Sequence, residues 1–581
     1  MKKIISMLLC LGMMFCLVAC QTNSTTDTDT TPNTDITNND SSTTTDETRE
    51  PVVGLQFGQV EDLQKFEVAW GSVEYATMEI TVKHGKKVVA NQTVNTQEDG
   101  YVVLDVYYGR HQLSIVCKDA NGKVVHKENQ EVTLSADEYI IAPISGSMPQ
   151  LYFTLYMKEI TNNYTIPAFV WLARPDSWNW DNLPENVYPM PTAEMSEILK
   201  HNNYNKMVEH ADAYIEELYS INKNSKFNLY INDYNAYLYL ELLIANGIPE
   251  ENYYLTLLSD GGASYSDFNE AFNSADPNFD ADAKYDQMAA NLQTLIQQVS
   301  KAKKYNPKKT VVDSNTFRQY SYVAAREKDN VEWWILRPRE GVLCSPDKDF
   351  ITRVLNDDKK EGVIEERNFA NPLKGLSAED EAALKSLYNF NNEIFEAADT
   401  QGKKAMMILG SWADAKSEPD FEAYVRFVKL NYGDEFVYYY KGHPNTPTSL
   451  YPDKQAQLEK LDLIDVESSI NAELILFFYP NIYMCGYNSS TFMSVEKPEM
   501  ATAMFNMKKA ECTGEYKDLI GIYLSKIDVA SSEYKSLCTN AKHSYFLMEY
   551  NDGSNNIGIY DDTDGTITKY AVEDGKFVEV K

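Results

Sequence analysis

Four short segments of this 581-residue chain combine residue types that do chemistry with positions where chemistry is usually done. The first is Leu258-Ser259-Asp260-Gly261-Gly262, directly after the apolar run Tyr254–Leu258. A carboxylate there can take a proton, although Asp-Gly is equally an ordinary turn signal. The second is Lys441-Gly442-His443-Pro444, after the run Phe436–Tyr440. A histidine held by a following proline can give a proton or a hydrogen bond to an anion; a lone loop histidine is more often structural. The third is Glu473, near the start of the apolar helical pattern Asn471–Phe478. A carboxylate there either accepts hydrogen bonds from a ribose diol or simply complements the helix dipole. The fourth is Asn488-Ser489-Ser490-Thr491, after Ile482–Tyr487. Paired hydroxyls and backbone N–H groups at such a turn suit a phosphate, but serine-rich turns are also common in their own right.

These segments sit in a chain whose texture changes at about residue 148. From there, strand-like apolar runs (Leu151–Leu155, Ala168–Ala173, Phe227–Ile231, Tyr254–Leu258) alternate with helical patterns such as Lys206–Ile221 and Tyr234–Ala245. Such alternation indicates an α/β unit with a parallel sheet. A helix-rich stretch follows to about 398. A second α/β unit then begins at Ala405–Leu409, with a helix framed by Pro419 and Gly433 before the strand Phe436–Tyr440. Open α/β sheets bind ligands at the C-terminal ends of their strands, where the chemically equipped loops fall. Two such units facing a cleft would make a GT-B-like pair of Rossmann-type domains.

Residues 51–146 read differently. Runs at Met78–Val82, Tyr101–Val106, Gln112–Cys117 and Tyr139–Ile144, punctuated by Asp99-Gly100 and Asn121-Gly122, suggest a small immunoglobulin-like β-sandwich. It carries no chemical constellation and reads as a spacer. Ahead of it, Lys2 and Lys3 precede an apolar run from Ile4 to Ala19 that ends in Leu17-Val18-Ala19-Cys20. That is the pattern of a signal peptide with a lipobox, in which Cys20 becomes the acylated N-terminus and holds the protein to the extracytoplasmic face of a membrane. Residues 21–50 are almost wholly Thr, Asn, Asp and Ser and cannot bury enough surface to fold, so they read as a flexible stalk. The expected organisation is a signal peptide over 1–20, a disordered linker over 21–50, the sandwich over 51–146, α/β domains over 147–398 and 399–542, and a β-hairpin tail over 543–581.

The net charge of −33 argues against nucleic acid or an anionic lipid surface as a partner. Five cysteines follow Cys20, with neither CxxC nor metal-type spacing; Cys117 and Cys485 fall in strand patterns and are expected to be buried thiols, and Cys512–Cys538 is a candidate disulfide. The seven histidines show no HxxxH or HExxH arrangement, so no metal site is expected.

Taken in order, Ser259-Asp260-Gly261, Lys441-Gly442-His443-Pro444, Glu473 and Ser489-Ser490 resemble the motifs of glycosyltransferase family 80, the bacterial sialyltransferases. The likeness spans about residues 225 to 495. It takes in Ile408-Leu409-Gly410-Ser411-Trp412 and the stretch Leu376–Glu379 through Tyr388–Glu393. The resemblance implies a GT-B fold, with 147–398 on the acceptor side and 399–542 on the donor side. The implied donor is CMP-sialic acid, used without a cofactor, and the implied acceptor is a glycan hydroxyl of galactoside type. Asp260 would be the general base and His443 the group that stabilises or protonates the departing phosphate, aided by Ser489 and Ser490. Lys441, Gly442, Pro444 and Glu473 would hold the rest of the nucleotide, and Trp412 and Asn235 would line the sugar site. Two positions depart from the pattern: Ser259 stands for the family's first acidic residue, and Asn235 for an acceptor-side histidine. A two-lobed substrate-binding lipoprotein and a transferase using another CMP-activated acidic sugar are the competing readings.

Overall fold

The computed structural model describes residues 55–61, 63–71, 75–96, 100–261, 264, 278–302, 317–336, 364–410, 421–444, 447–486, 489, 491, 494, 497, 500–506, 545–550, 555–561, 566–573 and 576–580. Cys20, the stalk, Trp412, Ser490, Cys344, Cys512 and Cys538 lie outside them.

Seven strands build an N-terminal β unit from two antiparallel sheets. One is β1 (Leu55–Gln59), β2 (Lys65–Trp70) and β5 (Gly100–Asp105); the other runs in the order β4 (Lys87–Asn95), β3 (Thr77–His84), β6 (Gly109–Lys118), β7 (Val124–Leu134). Side chains alternate across each strand. Met78, Ile80 and Val82 of β3 and Leu113, Ile115 and Cys117 of β6 turn inward, and Phe66, Val68, Val102 and Leu104 bury the inner face of the other sheet.

The next sheet is wholly parallel, in the order β10 (Val187–Pro189), β9 (Ala168–Leu172), β8 (Glu138–Ile144), β11 (Lys226–Asn232), β12 (Tyr253–Leu258), β13 (Val331–Ile335), β14 (Ile364–Glu366). Two sequence expectations fail here. Tyr139–Ile144, expected to close the sandwich, lies in the interior of this sheet, paired in parallel with both β9 and β11. Its run Tyr-Ile-Ile-Ala-Pro-Ile does not alternate and is buried on both faces, as an interior strand of a helix-covered sheet must be. Leu151–Leu155, expected as a strand, belongs to the helix Ser147–Leu155, all but the first residue of which is buried. A short, fully buried apolar run has no periodicity to separate the two forms.

The last sheet repeats the plan. Its order is β17 (Ile464–Val466), β16 (Phe436–Lys441), β15 (Lys404–Leu409), β18 (Ile482–Gly486), β19 (Ala501–Asn506), all parallel. β20 (Tyr545–Tyr550), β21 (Asn555–Asp561), β22 (Thr566–Glu573) and β23 (Lys576–Val580) then continue it as antiparallel hairpins from β19. The hairpins expected of residues 543–581 therefore extend the second sheet and do not form a separate tail. In each sheet the first strand lies inside and the chain winds outward both ways, β8 then β9 and β10 on one side and β11 onward on the other; β15 to β19 do the same. This is the doubly wound arrangement, and each sheet has its topological switch point beside its first strand. The fold is α/β, a GT-B-like pair of Rossmann-type sheets preceded by a small β domain.

Candidate active site

At the first switch point, between β8 and β11, Asn232 is fully buried and clamps a backbone unit across the gap. Its Oδ1 accepts from Ser145 N–H at 2.7 Å, and its Nδ2 donates to Ser145 O. The clamp sets up the turn at Gly146, whose φ of 88° and ψ of 155° belong to a region essentially restricted to glycine. The reason for a glycine is spatial as well: a Cβ there would stand 2.7 Å from Asp260 Oδ1. Asp260 thus reaches back from the end of β12 onto the end of β8. Its own turn is tied down by hydroxyls: Asp260 N–H donates to Ser264 Oγ at 2.9 Å and Gly261 N–H to Ser259 Oγ at 3.2 Å, with Gly261 at φ 69°. Ser259 is fully buried and serves this turn. Asn235 lies three residues beyond Asn232, half-buried, in the short turn that leads into the helix Ala236–Ala245.

On the second sheet, Lys441 ends β16 and is buried; its Nζ donates to Gly442 O at 3.1 Å and to Ser468 O at 2.8 Å. Burial holds its pKa down to about 8; the Arg174 guanidinium adds to this and Glu473 works against it. His443, half-buried in the following loop, is held down to about 4 by burial, then by the positive charges of Arg174 and Lys441. Glu473 stands in the first turn of the helix Ala472–Phe478, where burial raises its pKa and Lys441 and Arg174 oppose the rise. Thr491 Oγ1 donates to Glu473 Oε1 at 2.8 Å, Ser489 Oγ donates to Thr491 Oγ1 at 3.2 Å, and Thr491 N–H donates to Ser489 Oγ at 3.3 Å. The serine turn and the carboxylate are therefore one hydrogen-bonded chain.

The two halves meet. A narrow crevice is lined by Ser147, Gln150, Arg174 and Ser177 from the first sheet's loops and by Pro444, Ser469 and Asn471 from the second's. Asn471 is 4% exposed and its Nδ2, a donor, has no hydrogen-bond partner. Arg174, at the end of β9, is the residue that crosses over: it donates to Ser147 Oγ at 3.0 Å, and its charge acts on Lys441, His443 and Glu473 of the opposite sheet. In a chain of net charge −33, Arg174 beside a lysine and a histidine whose pKa values are held down forms with them a local site for an anion. A carboxylate, Asp260, follows β12 of the first sheet, near enough to Arg174 for both to act on Tyr204. The arrangement can accept a proton on one side while neutralising negative charge that develops on the other.

Sequence reasoning missed Gly146, Asn232 and Arg174. One signal was available for the last: it is the lone arginine between Arg110 and Arg318, directly after a strand pattern and before Pro175. Cys117 and Cys485 are free and buried, and burial raises the Cys117 thiol to about 11. Among the described residues no group of His, Cys, Asp or Glu could hold a metal ion, and no helix is long and apolar enough to cross a membrane.

No protein-family model matches this sequence, and no curated protein does. Among solved structures, the chain is similar to a sialyltransferase from Photobacterium damsela, at 13% identity and a TM-score of 0.48, over 79% of this chain and 94% of that one. It is similar to a 2,6-sialyltransferase from Photobacterium sp. JT-ISH-224, solved with CMP and lactose, at 12% identity and a TM-score of 0.47, over 77% and 86%. A third is the α/β-galactoside α-2,3-sialyltransferase of Photobacterium phosphoreum, at 14% identity and a TM-score of 0.47, over 67% and 96%.

Proposed function

We propose that the protein is an inverting sialyltransferase that moves sialic acid from CMP-sialic acid to a glycan hydroxyl. The observation that carries the reading is the division of labour across the crevice. A carboxylate is seated at one switch point, and a lysine, a histidine, a glutamate and a serine turn gather at the other, in the order of the family motifs.

In this reading the acceptor hydroxyl bonds to the anomeric carbon as the bond from that carbon to the CMP phosphate oxygen breaks. The hydroxyl proton goes to Asp260, and the bonding pair leaves with the phosphate. The phosphate gains a negative charge in the transition state, which Lys441, Arg174, His443 and the Ser489 hydroxyl are grouped to offset; donors fixed in advance at a low-dielectric site are worth more than the same groups in water. With a pKa of about 4, His443 starts neutral at pH 7 and acts first as a hydrogen-bond donor. The growing dianion then favours its protonated form. Glu473, held by Thr491, would receive the ribose hydroxyls. No metal takes part in these steps, and no cofactor beyond the donor substrate is needed. Acylated at Cys20, the enzyme would work at the extracytoplasmic face of a membrane, with the β unit, in our reading an immunoglobulin-like spacer, beneath the catalytic pair.

The test is Asp260→Asn, with CMP release and product mass measured against a panel of CMP-sugars and acceptors. Loss of the base should lower transfer by roughly two to four orders of magnitude while CMP affinity changes little. Retention of more than about a tenth of wild-type transfer would refute the assignment and favour a binding protein. A donor preference for another CMP-activated acidic sugar would keep the mechanism and change the substrate.

A further inference from the structure

We infer that a second small-molecule site lies beside Glu473, on the face of the helix Ala472–Phe478 that carries Glu473, Leu476 and Phe477, and that it takes a flat apolar ring system carrying an anionic group. A cavity of about 240 Å³ is lined there by this helix, the start of β18, the residues Ser494, Lys497, Met500 and Ala501, and the short helix Ala370–Lys374. Its wall is chiefly apolar, with Leu373, Leu476, Phe477, Ile482, Met484 and Met500 among the lining residues. Protein interiors close such spaces: voids larger than a water molecule are few, and a dry apolar cavity of about 150 Å³ already accepts benzene. The volume here therefore suits a fused bicyclic ring. Phenylalanine and methionine on the wall are the residues that adapt to a flat, polarisable guest.

The polar groups are few and separated, as in sites where they orient an otherwise apolar ligand. Ser494 Oγ lies on the cavity, buried and without a hydrogen-bond partner. Two lysines complete the lining at its solvent side: Lys374 and Lys497 are both exposed, and Lys497 Nζ donates to Pro480 O at 3.1 Å. An apolar interior with one buried hydroxyl and the Glu473 carboxyl on its wall, and two exposed cations among the lining residues, suit a compact amphipathic anion with its ring inside and its charge at the lysines.

Glu473, assigned above to the donor, also lines this cavity, and Thr491 Oγ1 donates to its Oε1. A guest pressed against this residue must alter how the carboxyl is held, so the two sites are linked. By thermodynamic reciprocity, whatever factor the guest imposes on a ligand of the crevice, that ligand imposes on the guest. The binding itself does not depend on the enzymatic reading; only the linkage to CMP does.

The experiment uses the full-length protein and two probes, indole-3-carboxylate and uncharged indole, followed by calorimetry and saturation-transfer NMR. Saturable binding is expected for both, tighter for the carboxylate. Met484→Trp, which fills the cavity, should abolish both signals, with circular dichroism and thermal unfolding confirming that it folds. Lys497→Ala, at the exposed rim, should cost the carboxylate several-fold and leave indole unchanged; it serves as the second test should Met484→Trp not fold. Ser494→Ala should weaken either probe. CMP titrated with and without indole-3-carboxylate should show shifted affinity. Absence of saturable binding by either probe, or binding indifferent to both Met484→Trp and Lys497→Ala, overturns the site. Binding with no shift in CMP affinity keeps the site and overturns the linkage.

Discussion

Gly146→Ala tests whether the close approach of two strand ends makes the active site. The residue's φ of 88° and ψ of 155° lie where a side chain costs about 1–3 kcal/mol. A domain of this size loses about 2–4 °C in Tm per kcal/mol, so the strain alone should be visible in a thermal scan. The added Cβ would also stand 2.7 Å from Asp260 Oδ1. Restoring an ordinary contact of 3.4 Å moves the carboxylate by roughly 0.7 Å, and misplacements near 1 Å cost up to about 10²-fold in rate. We therefore expect transfer to fall by about 10- to 100-fold with CMP affinity unchanged, since the nucleotide is assigned to the other sheet. Gly85→Ala is the control. It too has a positive φ, 57°, but its Cβ would meet nothing within 4 Å, so it should lose stability and keep its rate. The rate is read as CMP release under saturating donor, on protein shown to be folded. A folded Gly146→Ala protein within twofold of the wild-type rate would refute the reasoning, and so would an equal loss in Gly85→Ala.

Four further outcomes are expected. His443, held down to about 4, is neutral at pH 7, whereas a bound phosphate favours its charged form. CMP should therefore take up protons on binding and bind more tightly as pH falls from 7 towards 5. Calorimetry in buffers of different ionisation enthalpy should show this, and His443→Ala should abolish it. At the alkaline end, Lys441, held down to about 8, loses its charge as pH rises through that value, and CMP affinity should fall with it. Asn232→Ala strips the partners from both Ser145 N–H and Ser145 O, and urea unfolding should show a loss of about 1–3 kcal/mol for each group left unpaired. Cys20→Ser should move the protein from the detergent phase to the aqueous phase on partitioning, and wild-type partitioning would refute lipid anchoring.

Much of the frame is legible in the sequence because it is local. Tyr254–Leu258 and Phe436–Tyr440 are apolar runs of strand length ending in turn residues, and they are strands β12 and β16, each one residue longer than expected. Glu473 falls at a helix start because Asn471 and the apolar run after it mark one. What local pattern cannot show is strand order. Gly146 and Asp260 follow strands, β8 and β12, that are not even neighbours in the sheet, and Arg174 acts on Lys441 across the crevice. These meetings depend on the winding of each sheet outward from its first strand, which no window of ten residues contains. β8 was misread for a related reason: a central parallel strand, buried on both faces, lacks the alternation that marks a sandwich strand.

The junction between the β unit and the first sheet bears on whether the protein can be taken apart. Tyr108 of the β unit stacks edge-on against Tyr139 of β8 at 5.6 Å, and Tyr139 lies against Phe227 at 5.7 Å. Tyr214 packs on Phe169 at 5.0 Å and donates to Tyr108 O at 3.1 Å. Glu217 accepts from Arg110 N–H at 2.7 Å, where a Cβ on Gly109 would come within 2.6 Å of it. The β unit is thus no detachable module on a hinge. Trimming the chain at residue 147 removes an interior strand of the next sheet, β8, and trimming ahead of Glu138 keeps that strand but lays a cluster of aromatic rings open to water. Shuffling this catalytic pair onto another N-terminal domain would need a replacement surface for Tyr139 and Phe169.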